Sequence, residues 1–242
     1  MGRLVAGTIA AADDLELGPL YDPASAGTEV AGSVIVGSAE ALKNADAVVE
    51  FTQPDVVMHN LGTWRKMGLH AVVGTSGFDA GRLEELASVW GSGPPNCLIV
   101  PNFSIGAVVM MRLAEIAASH FAAAEIIELH HDRKADAPSG TAIATAGRIG
   151  AAAAQHRAVE SAELIPGARG ADVAGVPVHA VRLPGLVAHQ EVLFGGIGET
   201  LTIRHDTTDR SAFMPGVLAA VRAVAGLDLP VTVGLEEILN LG

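Results

Sequence analysis

One cysteine, Cys97, is all the thiol chemistry that this 242-residue chain carries. An intramolecular disulfide is therefore excluded, and the apolar run Cys97-Leu98-Ile99-Val100 makes a buried structural thiol the expectation. This usage fits a reducing, cytoplasmic setting. Long apolar runs are missing as well. Arg112 and Arg148 break the two longest candidates before the roughly 18 residues that a membrane span requires. The opening places Arg3, then Asp13 and Asp14, around too short an apolar run for a signal peptide. Basic residues are few, 15 Lys and Arg against 27 Asp and Glu, for a formal charge of −12, and they are scattered. Binding to a phosphate backbone demands clustered cations, so no nucleic-acid partner is expected.

What is present is a chain 50% hydrophobic and 17% charged, able to bury a large core in one or two domains. Its first half alternates short β-rich runs, at residues 15–21, 47–51, 71–74 and 97–100, with helical stretches, the pattern of a parallel α/β sheet. The clearest helix spans residues 54–67, with Pro54 in its first turn and Gly68 after its last. Residues 105–121 read as helical. Beyond them, strands near 178–182, 191–194 and 200–204 come without intervening helices, which predicts a second, α+β domain with an antiparallel or mixed sheet. Residues 156–176 read as a long loop, and a last helix is expected over 211–225. The expected division is residues 1–104 with 213–242, and residues 105–212.

The densest chemistry lies in His130-His131-Asp132-Arg133-Lys134-Ala135-Asp136-Ala137-Pro138-Ser139-Gly140-Thr141. An alternating run, Ala124 to Leu129, leads in as a strand and delivers both histidines to its end. Pro138-Ser139-Gly140-Thr141 opens an Ala-rich helix whose first N–H groups favour a carboxylate or phosphate. Adjacent strand residues face opposite ways, so His130 and His131 are not expected to share a metal, and no metal site is predicted. Read alone, each of these side chains is equally a structural histidine or a solvated loop charge. In the first half, Asp22 stands about 20 residues beyond Gly2, where an acid can bond an adenosine ribose. Gly74-Thr75-Ser76 and Val100-Pro101-Asn102-Phe103 each follow a strand, at the edge where α/β sheets bind ligands, although both also read as plain turns.

These motifs together resemble the dihydrodipicolinate reductase family, the 4-hydroxy-tetrahydrodipicolinate reductases of lysine and diaminopimelate biosynthesis. The resemblance runs from Gly2 to the C-terminus and includes Gly74-Thr75-Ser76-Gly77-Phe78, Pro101-Asn102-Phe103-Ser104-Ile105-Gly106 and the stretch Gly195 to Asp206. It implies a Rossmann-like dinucleotide-binding domain, a smaller α+β substrate and oligomerisation domain, and a cytoplasmic homotetramer. It assigns His130 as proton donor and Lys134 as catalytic lysine, with His131, Gly140 and Thr141 binding a dicarboxylate substrate. NADH or NADPH would be held by Asp22, Gly74, Thr75, Ser76, Val100, Pro101, Asn102 and Phe103. The sequence opens on what resembles the tail of the family's glycine loop, with Gly2 as its last glycine, so a strand and most of that loop are expected upstream of Met1. The alternative is a weakly active or silent homologue that binds dinucleotide or dicarboxylate.

Overall fold

The structure, a computed structural model, describes residues 1–154, 157, 159 and 161–241. The chain divides into two compact units, Met1–Ser104 with Phe213–Gly242, and Ile105–Ala212. It opens with helix α1 (Gly2–Ala10), the short strand β1 (Leu20–Tyr21), a hairpin of β2 (Glu29–Val30) and β3 (Ser33–Val36), and β4 (Ala47–Glu50). Then come α2 (Val57–Met67), β5 (His70–Val73), α3 (Ala80–Trp90) and β6 (Cys97–Ile99). The second unit holds α4 (Ile105–Ala118), β7 (Ala123–His130), α5 (Gly140–Ala152), β8 (Ala171–Val173), β9 (Val176–Arg182), β10 (Ala188–Gly196) and β11 (Glu199–Thr207). The chain returns to the first unit with α6 (Met214–Ala223) and β12 (Val231–Val233).

In the first unit, β12, β6, β5 and β4 form a wholly parallel sheet in that order, the Rossmann-like arrangement. Strands enclosed on both faces read as continuous apolar runs, and Cys97, Leu98 and Ile99 are all buried. Leu61 and Trp64 of α2 and Leu86 and Trp90 of α3 pack on Ala71, Val73, Cys97 and Ile99. Burial there pushes the Cys97 thiol far above its ordinary pKa, the behaviour of an inert core group. Asn96 Nδ2 lies 2.9 to 3.3 Å from the carbonyls of Val224, Ala225 and Leu227, which fastens the segment after α6 beside β6. A separate sheet, ordered β1-β3-β2, meets the α2 face where the rings of Tyr21 and Trp64 stack edge-on at 5.8 Å.

Several boundaries differ from the pattern read in the sequence. The strand expected over 15–21 shrinks to Leu20–Tyr21, because Pro19 removes a donor and Gly18 has no side chain to pack. The β2–β3 hairpin was not foreseen; it turns at Ala31-Gly32, both at positive φ, a pairing that suits the twist of antiparallel strands. Helix α2 begins at Val57 rather than Pro54, since Val56 and Val57 donate to Gln53 O in a turn that precedes it. It ends where expected, with Gly68 left-handed at φ 76°. The last helix is shorter than residues 211–225: single 3-10 turns flank α6, and Pro215 lies in its first turn. Of the loop expected over 156–176, residues 156, 158 and 160 lie outside the described residues, and β8 occupies its end, paired with β9.

The second unit is built on a mixed sheet ordered β11-β10-β7-β9-β8, in which only the β7–β9 pair is parallel. Ala114, Ala117 and Ala118 of α4 and Ala142, Ala146 and Ile149 of α5 close on Ile126, Val176, Val178, Val192 and Phe194. Small alanines let both helices approach the sheet closely. Parity along β7 then sorts its side chains: Ile126, Glu128 and His130 face the helices, while Glu125, Ile127 and Leu129 face away.

One close approach in the first unit yields a test. A Cβ on Gly216 of α6 would lie 2.0 Å from Phe103 O, so no side chain fits between the helix and that loop. Gly216→Ala is expected to cost about 1–3 kcal/mol or more of stability, as overpacking does. Chemical denaturation measures it, and an unchanged midpoint would contradict the packing described.

Candidate active site

His130 is the last residue of β7, and its position is set by a carboxylate two residues earlier on the same face. Glu128 is fully buried. Its Oε2 lies 2.5 Å from His130 Nδ1 and accepts from Arg182 Nη1 at 2.8 Å. Its Oε1 accepts from Arg182 Nη2 at 2.8 Å and from the backbone N–H of Ser139 at 3.1 Å. Arg182 arrives because β7 and β9 run parallel with His130 opposite Arg182. The same guanidinium donates to Asp136 O at 2.6 Å, fixing the loop between the strand and α5. Neither Glu128 nor Arg182 was singled out in the sequence. Glu128 shares the parity of Ile126 and His130, a signal of inward direction, whereas Arg182 lies 54 positions from its partner and left no local trace.

Around this hub the predicted substrate residues take defined places. Lys134 Nζ donates to both carboxylate oxygens of Asp136, at 2.7 and 2.8 Å, so the lysine is held by its neighbour. Ser139 caps α5, its Oγ accepting from Ala142 N at 3.2 Å, and the amides of Gly140 and Thr141 fall in the first turn, outside the helix's own ladder. His131 comes directly after the strand, and its Nδ1 is buried without a hydrogen-bond partner. Gln190, across the sheet from Glu128, donates to Thr145 Oγ1 at 2.8 Å, and Thr145 in turn donates to Thr141 O. Arg169 pairs with Glu125 on the opposite face of the sheet, so it is not part of this cluster. Among the described residues no group of three or more His, Cys, Asp or Glu is placed to hold a metal ion.

The electrostatics of His130 are opposed. Burial favours the neutral ring and holds its pKa below the usual histidine value; the Glu128 carboxylate pulls it upward, and Lys134 and Arg182 push it down again. Glu128 itself is penalised by burial, yet its bonds to Arg182 and His130 leave its pKa below the usual carboxylate range. The result is a carboxylate beside a ring that is neutral at pH 7, able to gain a proton when an anion comes near.

Of the predicted cofactor residues, all but Asp22 gather in the loops at the C-terminal ends of β5 and β6 in the parallel sheet of the first unit, whereas Asp22 follows β1 of the separate sheet. Glu50, Val73 and Ile99 stand level across β4, β5 and β6, so the loops after them leave the same edge. Gly74 N donates to Glu50 O and Val100 N to Val73 O, extending the ladder into both loops. Thr75 is buried, and its Oγ1 accepts from Thr52 N at 2.9 Å. Ser76 and Pro101 are exposed, Val100 and Phe103 are buried, and Asn102 Oδ1 accepts from Ser104 N at 2.9 Å. Glu50 was missed in the sequence: it is a buried carboxylate that accepts from Thr52 Oγ1 at 2.5 Å, Asn60 Nδ2 at 3.0 Å and Trp64 Nε1 at 2.9 Å. Asp22 lies just past β1 as an exposed residue, its oxygens accepting from Ala24 N and Ser25 Oγ in its own turn.

Residues 1–103 match the N-terminal region of dihydrodipicolinate reductase, and residues 106–239 match its C-terminal region. This chain belongs to the dihydrodipicolinate reductase family. It is 52% identical over 256 aligned positions to the 4-hydroxy-tetrahydrodipicolinate reductase of Nocardia farcinica, covering 100% of this chain and 95% of that one. The corresponding protein of Thermobifida fusca is 51% identical, with the same coverage. Among solved structures, a dipicolinate-bound dihydrodipicolinate reductase from Paenisporosarcina superposes with a TM-score of 0.85 at 35% identity, over 98% of this chain and 94% of that one.

Reductases of this family use NADH or NADPH, and the first unit can be tested against that group. A Cβ on Gly74 would fall 2.2 Å from Phe51 and 2.7 Å from Phe103, whose rings lie 5.4 Å apart. No side chain fits at Gly74 between these two rings, and its loop leaves the C-terminal edge of the parallel sheet, the edge at which α/β sheets bind dinucleotides. Gly74→Ala must displace those rings and is expected to weaken NADH binding while the second unit stays folded. Titration of the variant by nicotinamide fluorescence checks this, and unchanged affinity would remove the loop from the cofactor site.

Proposed function

We propose that this chain reduces 4-hydroxy-tetrahydrodipicolinate to tetrahydrodipicolinate with NADH or NADPH, in lysine and diaminopimelate biosynthesis, as a cytoplasmic homotetramer. The observation that carries the reading is the cluster in which one buried carboxylate, Glu128, holds both His130 and the N-cap of α5, with Lys134 paired to Asp136 in the loop between them. The reductase name of relatives at about half identity favours it over a silent binding homologue. Dipicolinate in the Paenisporosarcina protein supports a dicarboxylate ligand here.

Loss of the ring hydroxyl together with a hydrogen from the neighbouring carbon, as water, leaves a conjugated cyclic imine. A bound reduced nicotinamide would supply hydride to the carbon that carried the hydroxyl, and the enamine-like anion left by that addition needs one proton at the adjacent carbon. His130, as imidazolium, supplies it. Lys134 holds a substrate carboxylate and offsets the negative charge that develops, sharing or exchanging its contact with Asp136. The Gly140 and Thr141 amides receive a carboxylate at the start of α5, where the helix dipole assists. His131 lines the same loop. In the first unit Gly74, Thr75, Ser76, Val100, Pro101, Asn102 and Phe103 are assigned to the nicotinamide side and Asp22 to the adenosine ribose. For Asp22 to bond a ribose, its present turn must share its oxygens.

No helix among the described residues is long and apolar enough to cross a membrane. The sheet face opposite α4 and α5 carries Ile127, Leu129, Val181 and Leu193, only half-buried in the single chain, and it supports assembly through that face. Light scattering is expected to return four times the 24.7 kDa chain mass; a monomer would overturn the tetramer.

The deciding assay follows loss of NADH or NADPH absorbance with substrate generated from pyruvate and aspartate semialdehyde by the preceding enzyme. Turnover must vanish when that enzyme is omitted. His130→Ala is expected to lower kcat by about 10²–10⁴-fold in a folded protein. Lys134→Ala should raise KM and lower kcat with cofactor affinity nearly unchanged. Because the donor is the protonated ring, wild-type kcat/KM should fall as pH rises through the depressed His130 pKa, and the His130→Ala variant should lack that limb. Full activity of His130→Ala would refute the assignment.

A further inference from the structure

We propose that Glu128 is the positioning residue of this reaction: it fixes which nitrogen of His130 carries the transferable proton and ties that histidine to the turn that receives the substrate carboxylate. The inference rests on the reading of His130 as proton donor and goes beyond it. Neither the His130 assignment nor the family comparisons invoke this carboxylate.

Donor and acceptor roles decide the tautomer. An ionised carboxylate only accepts, so the 2.5 Å contact between Glu128 Oε2 and His130 Nδ1 requires the proton on Nδ1. In the neutral ring Nε2 is then bare, and the proton that arrives when the ring charges is the one on Nε2. A histidine without this partner is free to hold its single proton on Nε2, with Nδ1 turned uselessly toward the strand. The carboxylate also limits the ring's rotation, since a charge-assisted bond of this length tolerates little misalignment.

The same carboxylate reaches the turn. Glu128 Oε1 accepts from Ser139 N, the N-cap residue of α5, at 3.1 Å, and the first-turn amides of Gly140 and Thr141 come directly after it. One rigid side chain thus spaces the proton donor and the anion-binding turn. Arg182 completes it with a two-pronged contact, 2.8 Å on each arm, which fixes the plane of the carboxylate. The charged groups facing His130 are Glu128 from its own strand, Arg182 from β9 and Lys134 from the following loop, itself paired with Asp136; β10 presents only Ala188. Of these Glu128 alone is negative and in contact with the ring, so it alone favours the protonated donor.

Glu128→Gln keeps the shape and removes the charge. The expected result is a kcat lowered by about 10²-fold or more, with KM roughly unchanged, because Gln can still accept from Ser139 N. The falling limb of the pH profile should move to lower pH, since the group that raises the His130 pKa is gone while Arg182 and Lys134 remain. A variant that loses thermal stability but keeps the wild-type kcat and pH limb would show a purely structural role and overturn the proposal. A second measurement needs no turnover and leaves Glu128 in place: the ¹⁵N shifts of His130 in the wild-type protein above its pKa, assigned by its absence in His130→Ala. A proton on Nδ1 and a bare Nε2 support the proposal; the opposite tautomer overturns it. If His130→Ala retains full activity, the donor reading fails while the tautomer result still stands, so the two failures are told apart.

Discussion

A carboxylate with no exposed surface is held at the end of β7 by four donors, and the second unit is arranged to supply them. Burying an ionised group costs several kcal/mol unless its charge and lone pairs are met. For Glu128 the partners come from its own strand, from the neighbouring strand β9 and from the backbone before α5. Meeting that demand fixes the β7–β9 register, the course of the 131–139 loop and the point where α5 begins. A buried ion pair of this kind is weak support for stability as such, since apolar residues of equal volume often do as well. Its effect is on geometry: few other arrangements satisfy all four contacts at once.

The first unit uses a similar device. Glu50 ends β4 as Glu128 approaches the end of β7, and it too is buried, binding Thr52, Asn60 and Trp64. There the partners are neutral donors and no arginine is involved, so the carboxylate orders the loop after its strand without building a charged centre. Thr75 extends the order to the next loop through Thr52 N, and the Arg82 guanidinium binds the carbonyls of Pro54 and Gly77. Loops at a ligand-binding edge need not be soft when acids at the strand ends pin them. In each unit the acid lies behind the residues assigned to ligand.

How much of this could be read from the sequence depended on the range of the physics involved. Strand β7 and helix α5 were legible because alternation, an Ala-rich composition and Pro138-Ser139-Gly140 are local signals. The parallel strands β4 to β6 were legible as apolar runs, with edges off by a residue. Strand β1 was overestimated because Pro19 acts on pairing rather than on polarity, and β8 was hidden in a segment whose composition reads as a loop. The substrate-site candidates proposed from the sequence, His130, His131, Lys134, Gly140 and Thr141, lie within one short segment, and the family resemblance rather than local pattern singled them out. Those overlooked, Glu128, Arg182 and Glu50, act through contacts between strands or into the core. An acid in an alternating run is normally assigned to solvent, and only its shared parity with Ile126 and His130 argued otherwise.

On the proposed reading, the balance of charges around His130 also couples binding to proton supply. In the free protein, burial together with Lys134 and Arg182 outweighs Glu128, and the ring stays neutral near pH 7. A dicarboxylate that engages Lys134 and the start of α5 brings negative charge to the side of the ring away from Glu128. It also screens the lysine that opposes protonation. Both changes favour the imidazolium. The ring then takes up a proton on Nε2 as substrate binds, so the acid is formed when there is a carbanion to protonate. Had burial been relieved by exposing the ring, the proton would have been available at all times but shared with water. Had Glu128 been absent, the arriving anion would have had to overcome two cations alone. The buried acid holds the histidine within reach of protonation and leaves the substrate's own charge to complete the step.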